Sequence, residues 1–175
     1  YFSCFLLFNN FVCSMVDPSM FVYGNSSLTS ILLLCVNDII LTGNDTLASQ
    51  QFKDYLNSCF RIKDLDPLKY FLGIEVARGP KGLFLCQRKY ALEIVDECGL
   101  LGGKPIASPI EENHKLALAS GELFDNPTQY RRLIGRLIYL TITQPKLNYA
   151  VHVLSQFMQA PQTEHLNAAR RVLLY

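Results

Sequence analysis

The first 52 residues contain no lysine or arginine, so the basic side chains of this chain begin at Lys53. Residues 1–52 carry a net charge of −3, whereas residues 53–175 carry a net charge of +4. The near balance over the whole chain, +1, excludes a strongly basic nucleic-acid arm. Any anion-binding surface is therefore expected in the second part of the chain.

Long apolar runs and several catalytic signatures are also missing. The longest uninterrupted apolar stretch is Ile31–Val36, and a membrane-spanning helix needs about 18–20 residues, so we expect no membrane span. The apolar stretch Phe5–Phe8 has no basic residue before it and is not expected to be a signal peptide. The absence of a Gly-x-Ser-x-Gly elbow and of a Gly-Lys-Ser/Thr phosphate loop argues against those two classes of enzyme.

No pair of the six cysteines has C-x-x-C spacing, and no histidine lies close enough to complete a zinc site. Most of the cysteines lie in apolar stretches, so we expect small buried side chains in a reducing compartment rather than disulfides. An intracellular location, cytoplasmic or nuclear, follows from that expectation. The three scattered histidines, His114, His152 and His165, are expected to be structural.

The composition is that of a folded protein, because half of the residues are apolar and only 18% are charged. A chain of 175 residues is long enough for one compact domain or for a core with a small appendage. It starts at Tyr1 rather than Met, and it ends in an apolar helical pattern, residues 168–175, with no capping residue. We therefore expect a piece of a longer protein.

Two apolar hairpins, preceded by a short strand, are predicted among the first hundred residues. The segments are residues 20–23 for the strand, 28–36 and 39–42 for the first hairpin, and 70–77 and 83–86 for the second. The first hairpin turns at Asn37 and Asp38. Because both of its arms are almost wholly apolar, we expect them to be buried on both faces.

Helical periodicity predicts five helices. They cover Thr46–Cys59, Gln87–Cys98, residues 127 to about 143, Leu147–Met158 and Thr163–Tyr175. Asn126 is a good N-cap, and Gly99 fits a C-cap. Residues 102–124 hold few periodic apolar positions and are interpreted as a connector. The predicted fold class is α+β, with an antiparallel sheet of two hairpins plus helices, followed by a helical unit.

The tip of the first hairpin, Cys35-Val36-Asn37-Asp38, is the sharpest candidate for chemistry. A carboxylate carried on two hydrophobic strands is costly to bury unless a cation meets it. Two Mg²⁺ ions held by carboxylates can align a hydroxyl and a triphosphate for phosphoryl transfer. Taken alone, however, Asn-Asp is an ordinary pair for a tight turn.

The residues around the tip carry a family resemblance. The segment LLLCVNDIILTGND, residues 32–45, resembles the reverse transcriptase of copia-type long-terminal-repeat retrotransposons, which have Tyr-Val-Asp-Asp at this tip. The resemblance continues in the same order through FRIKDLDPLKYFLGIEV, FLCQRKYAL, DNPTQYRRLIGRLIYLTIT and YAVHVLSQFMQ. It covers nearly all of the chain from about residue 17 onward.

The resemblance implies a right-handed polymerase fold. Residues 1–101 would be a partial palm with a metal-site hairpin and a primer-grip-like hairpin, residues 102–124 a connector, and residues 125–175 a thumb- or connection-like helical region. The family activity is RNA-directed DNA polymerisation. It implies Mg²⁺ as the cofactor, an RNA or DNA primer–template as the partner, and the rest of a retrotransposon polyprotein around this segment.

Departures from the family pattern fall on the catalytic positions. The family uses three aspartates, of which one would precede Tyr1 and the other two correspond to Asn37 and Asp38. Cys35 replaces the family's tyrosine. With Asp38 as the one anionic ligand left, we expect an incomplete metal site that does not bind Mg²⁺ productively and a chain that is inactive by itself. The alternatives are a noncatalytic nucleic-acid-binding remnant and a relic that does not fold stably.

A set of basic side chains is the second candidate site. Its members are Lys69, Lys81, Arg88, Lys89, Arg131, Arg132 and Arg136. Such side chains contact phosphates in nucleic-acid-binding proteins, and the nearby Tyr70, Tyr90 and Tyr130 are candidates for packing on sugars or bases. The competing interpretation is that these charges are the solvated faces of helices.

Overall fold

The computed structural model describes residues 10–24, 29–35, 38–60, 62–118 and 121–175. The chain divides into two compact units, Tyr1–Leu68 and Lys69–Tyr175. Both combine antiparallel strands with helices, so the predicted α+β class is confirmed. Within the described ranges, no helix has the length and apolar character that crossing a membrane requires.

The first unit is built on a four-stranded antiparallel sheet. Its strands, in spatial as in chain order, are β1 (Val12–Cys13), β2 (Met20–Gly24), β3 (Thr29–Cys35) and β4 (Asp38–Gly43). The pairing of β3 with β4 confirms the first predicted hairpin, and β2 confirms the strand predicted before it.

One face of this sheet packs against helix α1 (Thr46–Cys59), whose bounds match the prediction. Asp45 starts the helix, because its carboxylate accepts a hydrogen bond from the backbone N–H of Ala48 at 2.9 Å. Phe52 of the helix packs against a buried cluster made of Phe21 and Leu32 in the sheet and Phe11 just before β1. The first unit therefore has a small core between the sheet and this helix.

The opposite face of the sheet is covered less. Leu33 and Ile40 are cross-strand partners on that face, and both are half-buried. The expectation that both hairpin arms are buried on both faces is therefore wrong for the described residues. The physical reason is that α1 covers only the face that carries Leu32, because successive side chains of a strand point to opposite faces.

The second unit begins with a three-stranded antiparallel sheet. Its strands are β5 (Tyr70–Phe71), β6 (Ile74–Gly79) and β7 (Gly82–Cys86). The second predicted hairpin is confirmed by β6 and β7, but residues 70–77 do not form one strand. Leu72 and Gly73 have φ values of 48° and 83° and turn the chain back on itself, which is the backbone of a two-residue hairpin turn.

Four α-helices follow the sheet, namely α2 (Arg88–Glu97), α3 (Pro127–Leu140), α4 (Asn148–Ser155) and α5 (Thr163–Leu173). Helix α2 ends as predicted at Gly99, whose φ is +65°, with the backbone N–H of Leu100 bonded to the carbonyl of Val95 at 3.0 Å. Asn126 caps α3 as predicted, accepting from the backbone N–H of Gln129 at 3.1 Å. The helix ends about three residues before the predicted position.

The core of the second unit is the buried stripe of α3. It consists of Tyr130, Leu133, Ile134, Leu137 and Leu140. The stripe packs against buried side chains of the other helices, which are Ile94, Ala150, Val151, Leu154, Ala169 and Val172. The hydroxyl of Tyr130 donates a hydrogen bond to the carbonyl oxygen of Leu154 at 2.8 Å, which satisfies the one polar atom of this buried side chain.

The described part of residues 102–124 has no α-helix and lies against α5. The backbone N–H of Ile106 donates to the carbonyl of Leu174 at 2.9 Å. The ring of His165 is buried, accepts from the backbone N–H of Gln162 through Nδ1, and lies 3.0 Å from the carbonyl of Leu116 through Nε2. His165 therefore has a structural role, as predicted, because it joins this segment to the start of α5.

We predict that Gly43→Ala destabilises the first unit. A Cβ atom at Gly43 would lie 2.3 Å from the carbonyl oxygen of Thr29, where the backbones of β3 and β4 approach. Strand displacement is expected to lower the free energy of unfolding by about 2 kcal/mol. Gly79→Ala is the matched control, because a Cβ there meets nothing within 4 Å. Equal urea denaturation midpoints for the two variants would contradict the prediction.

Candidate functional site

The tip of the first hairpin joins the end of β3 to the start of β4. Cys35 and Asp38 are Cα partners across the two strands, and Asp38 is exposed. The two residues between them, Val36 and Asn37, lie outside the described ranges, so the structure gives no geometry for Asn37. The cross-strand register places Asp38 on the face of the sheet opposite Leu34, and therefore opposite α1.

The donor set around Asp38 does not fit a pair of magnesium ions. Mg²⁺ prefers oxygen ligands and is usually held by carboxylates, whereas the cross-strand neighbour of Asp38 is the soft thiol of Cys35. Among the residues that the structure describes, no three His, Cys, Asp or Glu side chains are grouped so as to hold a metal ion. Asp38 is the carboxylate that this tip offers to a cation.

Four of the basic candidates lie around the second sheet. Lys69 directly precedes β5, and Lys81 lies in the two-residue turn between β6 and β7, where it is exposed. Arg88 and Lys89 begin α2 and line an open pocket of about 490 Å³.

Acidic side chains outnumber the basic ones in that pocket. Its other charged members are Glu75, Glu93 and Asp96, so the five charges sum to −1. The carboxylate of Glu75 accepts a hydrogen bond from the backbone N–H of Lys89 at 3.1 Å. This surrounding weakens the electrostatic attraction for phosphate at Arg88 and Lys89.

Of the three arginines of α3, one contacts a backbone carbonyl and the other two share one carboxylate. The Nε of Arg131 donates to the carbonyl oxygen of Met158 at 2.8 Å. Arg132 and Arg136 both meet the carboxylate of Glu97, at the end of α2, with Arg132 at 3.4 Å. The structure therefore brings Arg132 and Arg136 together and leaves Arg131 apart from them.

Arg136 is the most enclosed of the three. Its side chain is 17% exposed, against 72% for Arg132, so the competing interpretation, a charge on the solvated face of the helix, does not describe Arg136. Its guanidinium carbon lies 5.2 Å from the centre of the Tyr90 ring, within cation–π range. Burial lowers the pKa of Arg136, but Glu97 and Tyr90 raise it by more, so the net pKa is raised and the charge is permanent.

The three candidate tyrosines also differ strongly in their exposure to solvent. Tyr70 is exposed, as stacking on a base requires, whereas Tyr130 is fully buried in the helical core and its predicted contact with a ligand is wrong. Burial raises the pKa of Tyr130, which stays neutral. Tyr90 is half-buried and meets the ring of Tyr139 edge-on, with 5.3 Å between the ring centres.

Two charged residues near the arginines were not predicted from the sequence, Glu97 and Arg170. A terminal N–H of Arg170 donates to the carbonyl oxygen of Cys98 at 3.1 Å, just past the end of α2. Burial raises the pKa of the Cys98 thiol, which is therefore neutral at pH 7. The signal available in the sequence was the C-cap at Gly99, because a helix C-terminus with free carbonyls attracts cations.

Comparison with known proteins identifies the family of the chain. A family model described as reverse transcriptase (RNA-dependent DNA polymerase) matches residues 1–112, which is more than half of the chain. The chain belongs to the reverse transcriptase family. The predicted resemblance to a copia-type retrotransposon reverse transcriptase is thereby confirmed.

The proteins that are similar in sequence to this reverse transcriptase segment include transposon polyproteins. It is 43% identical over 171 residues to the retrovirus-related Pol polyprotein from transposon RE2 of Arabidopsis thaliana, covering 98% of this chain and 12% of the relative. It is 42% identical to the corresponding polyprotein from transposon RE1, with the same coverage. It is also 38% identical over 144 residues to an uncharacterized mitochondrial protein of Arabidopsis thaliana, covering 82% of this chain and 60% of the relative.

The segment thus spans about an eighth of the length of the two Arabidopsis polyproteins. No solved structure matches the chain.

We predict unequal contributions to stability from the two arginines that share Glu97. Arg136→Gln is expected to lower the free energy of unfolding by about 2 kcal/mol, because it removes a mostly buried charge from its carboxylate partner. Arg132→Gln is expected to cost about 0.5 kcal/mol or less, because its side chain is exposed.

Urea denaturation at neutral pH measures both effects. In about 1 M NaCl the effect of Arg132→Gln is expected to vanish, whereas that of Arg136→Gln persists, since salt screens exposed pairs more than enclosed ones. Equal losses in both variants, or equal sensitivity to salt, would contradict the assignment.

Proposed function

We propose that this chain is a segment of a retrotransposon reverse transcriptase and that the 175 residues by themselves do not extend a primer. The observation that carries the proposal is the amide at residue 37, where the family has a metal-binding aspartate. RNA-directed DNA polymerisation is the activity of the family. The RNA or DNA primer–template and the surrounding Pol polyprotein are its proposed partners.

The chemistry of the tip supports inactivity. Two divalent ions in a polymerase-type centre neutralise the developing charge on the transferred phosphoryl group and align the attacking oxygen. A neutral amide oxygen at Asn37 is a weaker ligand for such hard ions than a carboxylate. The third carboxylate implied by the family lies outside these 175 residues. Asp38 alone leaves too little negative charge to offset four positive charges.

The polymerase subdivision belongs to the same proposal. Residues 1–101 are proposed to be a partial palm, residues 102–124 a connector, and residues 125–175 a thumb- or connection-like region. The observed order of elements supports this subdivision, because two antiparallel sheets come first and the last three α-helices follow the connector.

We predict no primer extension by the 175-residue chain, either as it stands or as Asn37→Asp. The substitution restores one tip carboxylate but leaves the centre without the third. The measurement is extension of a labelled primer on RNA and on DNA templates with Mg²⁺ and, separately, Mn²⁺. Extension by Asn37→Asp, but not by Asn37→Asp with Asp38→Asn, would overturn this account of the tip.

A second candidate function is noncatalytic binding of nucleic acid. The observation in its favour is the exposed surface of the second sheet. Tyr70 and Phe84 lie on the same face of that sheet by register, and both rings are exposed. Lys69 and Lys81 lie at either end of the sheet with no ion pair among the described residues. Exposed rings stack on bases while nearby cations meet phosphates.

We predict saturable, salt-sensitive binding of a labelled RNA–DNA primer–template, followed by fluorescence anisotropy. Lys69→Gln and Lys81→Gln are each expected to reduce the slope of log affinity against log salt by up to about 0.9, the contribution of one phosphate contact. Lys146→Gln is the matched control, because Lys146 is exposed in the same unit but lies outside the predicted set.

Circular dichroism and a thermal melt accompany the titration. Absence of binding by a folded chain would refute this second candidate function. A broad melt with strong binding of a hydrophobic dye would instead support the third interpretation, a relic that does not fold stably.

A further inference from the structure

A groove in the second unit is lined by three arginines, two from α3 and one from α5. It has a volume of about 560 Å³ and lies where α2, α3 and α5 meet. Its charged members are Glu97, Arg132, Arg136 and Arg170, so it carries a net charge of +2. We call it the arginine groove. Its apolar wall is formed by Ile94, Phe124, Leu133 and Leu166.

Most of the hydrogen-bonding capacity of the arginine groove is unused by the contacts around Glu97. Each guanidinium has five N–H donors. Arg132 directs one terminal nitrogen to Glu97 at 3.4 Å, and Arg170 directs one to the carbonyl of Cys98 at 3.1 Å. The 3.4 Å contact is long for a charge-assisted hydrogen bond, so Arg132 is held weakly. The groove therefore offers donors and positive charge to an additional oxyanion.

Glu97 is the carboxylate that already lies among these donors. It is half exposed, and its Oε2 atom serves both Arg132 and Arg136. A carboxylate and a phosphate diester present similar pairs of charged oxygens to a guanidinium. A phosphate bound by both Arg132 and Arg136 would therefore have to displace Glu97.

We propose that the arginine groove binds a backbone phosphate of a nucleic acid and that Glu97 competes with that phosphate for Arg132 and Arg136. The proposal rests on the nucleic-acid-binding function proposed above. It adds Arg170 to the binding residues and makes Glu97 an internal competitor that limits affinity. Arg136 keeps its enclosed position over Tyr90, while the more exposed Arg132 is free to turn towards the ligand.

A phosphodiester fits the groove better than a small free anion for two reasons. The groove has an apolar wall beside its charges, which suits a sugar and a base attached to the phosphate. Arg132 is also largely exposed, so it can follow a chain that passes along the surface. A free phosphate would use the charges but leave the apolar wall in contact with water.

The decisive experiment compares Glu97→Gln with Glu112→Gln in titrations of a labelled RNA–DNA duplex. Both variants remove one negative charge from the second unit, but Glu112 is exposed, does not line the arginine groove and forms no ion pair among the described residues. We expect Glu97→Gln to bind about two- to fivefold more tightly than the unmodified chain, the factor that corresponds to releasing exposed ion pairs. Glu112→Gln is expected to change affinity by less than about twofold.

A second pair of variants keeps the proposal testable if Glu97→Gln lowers the stability of the fold. Arg170→Gln is expected to weaken binding and to reduce the salt slope by up to about 0.9. Arg171→Gln is its control, because the neighbouring Arg171 pairs with Glu111 instead. Equal effects of the two arginine variants would overturn the assignment of Arg170.

Competition identifies the form of the anion. The proposal expects an unlabelled duplex to displace the labelled one, whereas inorganic phosphate or a nucleoside triphosphate at the same phosphate concentration displaces it poorly. Effective displacement by inorganic phosphate would overturn the phosphodiester assignment. Equal affinity of Glu97→Gln and Glu112→Gln would refute competition by Glu97 while leaving the binding by Lys69 and Lys81 intact. Absence of binding by every folded variant would refute both proposals.

Discussion

The buried stripe of helix α3 is the constraint on which the second unit depends. Tyr130, Ile134 and Leu137 have no solvent exposure, and the buried cluster around them includes side chains of α2, α4 and α5 together with Ile110 and Leu147. Because the stripe occupies one side of the helix, the remaining side must present Arg132 and Arg136 to the end of α2. The periodicity of α3 therefore determines both which of its side chains are buried in the core and on which side its arginines lie.

The candidate sites of the two units differ in the sign of their charge. In the first unit, a single described carboxylate, Asp38, stands at the tip of an apolar hairpin and faces away from the core. In the second unit, three arginines gather where a helix ends, and one glutamate offsets a third of their charge. Binding of two divalent metal ions requires several negative charges at the hairpin tip, whereas contact with phosphate requires a positive charge in the arginine groove. The charges of the chain suit contact with phosphate better than binding of metal ions.

Local signals in the sequence predicted much of the fold. Asp45 and Asn126 are side chains that cap helices, and Gly99 adopts the left-handed backbone that ends one, so the starts of α1 and α3 and the end of α2 were all placed correctly. The turn at Leu72 and Gly73 was missed, because a leucine with positive φ is uncommon and its sequence resembles a continuous strand.

Contacts between distant parts of the chain were harder to predict. The sequence predicted that Arg136 is one of the basic side chains of the candidate site but not that Glu97 and Tyr90 would cover it. The sequence predicted a basic site after residue 52, because all lysines and arginines follow that residue. The geometry of the site could not be predicted, because it depends on which basic side chains pair with an acidic one. Pairing of that sort is set by tertiary packing rather than by spacing along one helix.

Among the described residues, the side-chain hydrogen bonds that join the second hairpin to α3 and to the segment after it lie at one end of the hairpin. At its base, the hydroxyl of Tyr139 donates to the carbonyl of Leu72, and the hydroxyl of Thr143 meets the buried side chain of Gln87 at 2.9 Å. At its far end, Gly79 and Gly82 have open space around them. A strand of six residues is about 20 Å long, so a small rotation at the base becomes a displacement of several ångströms at Lys81.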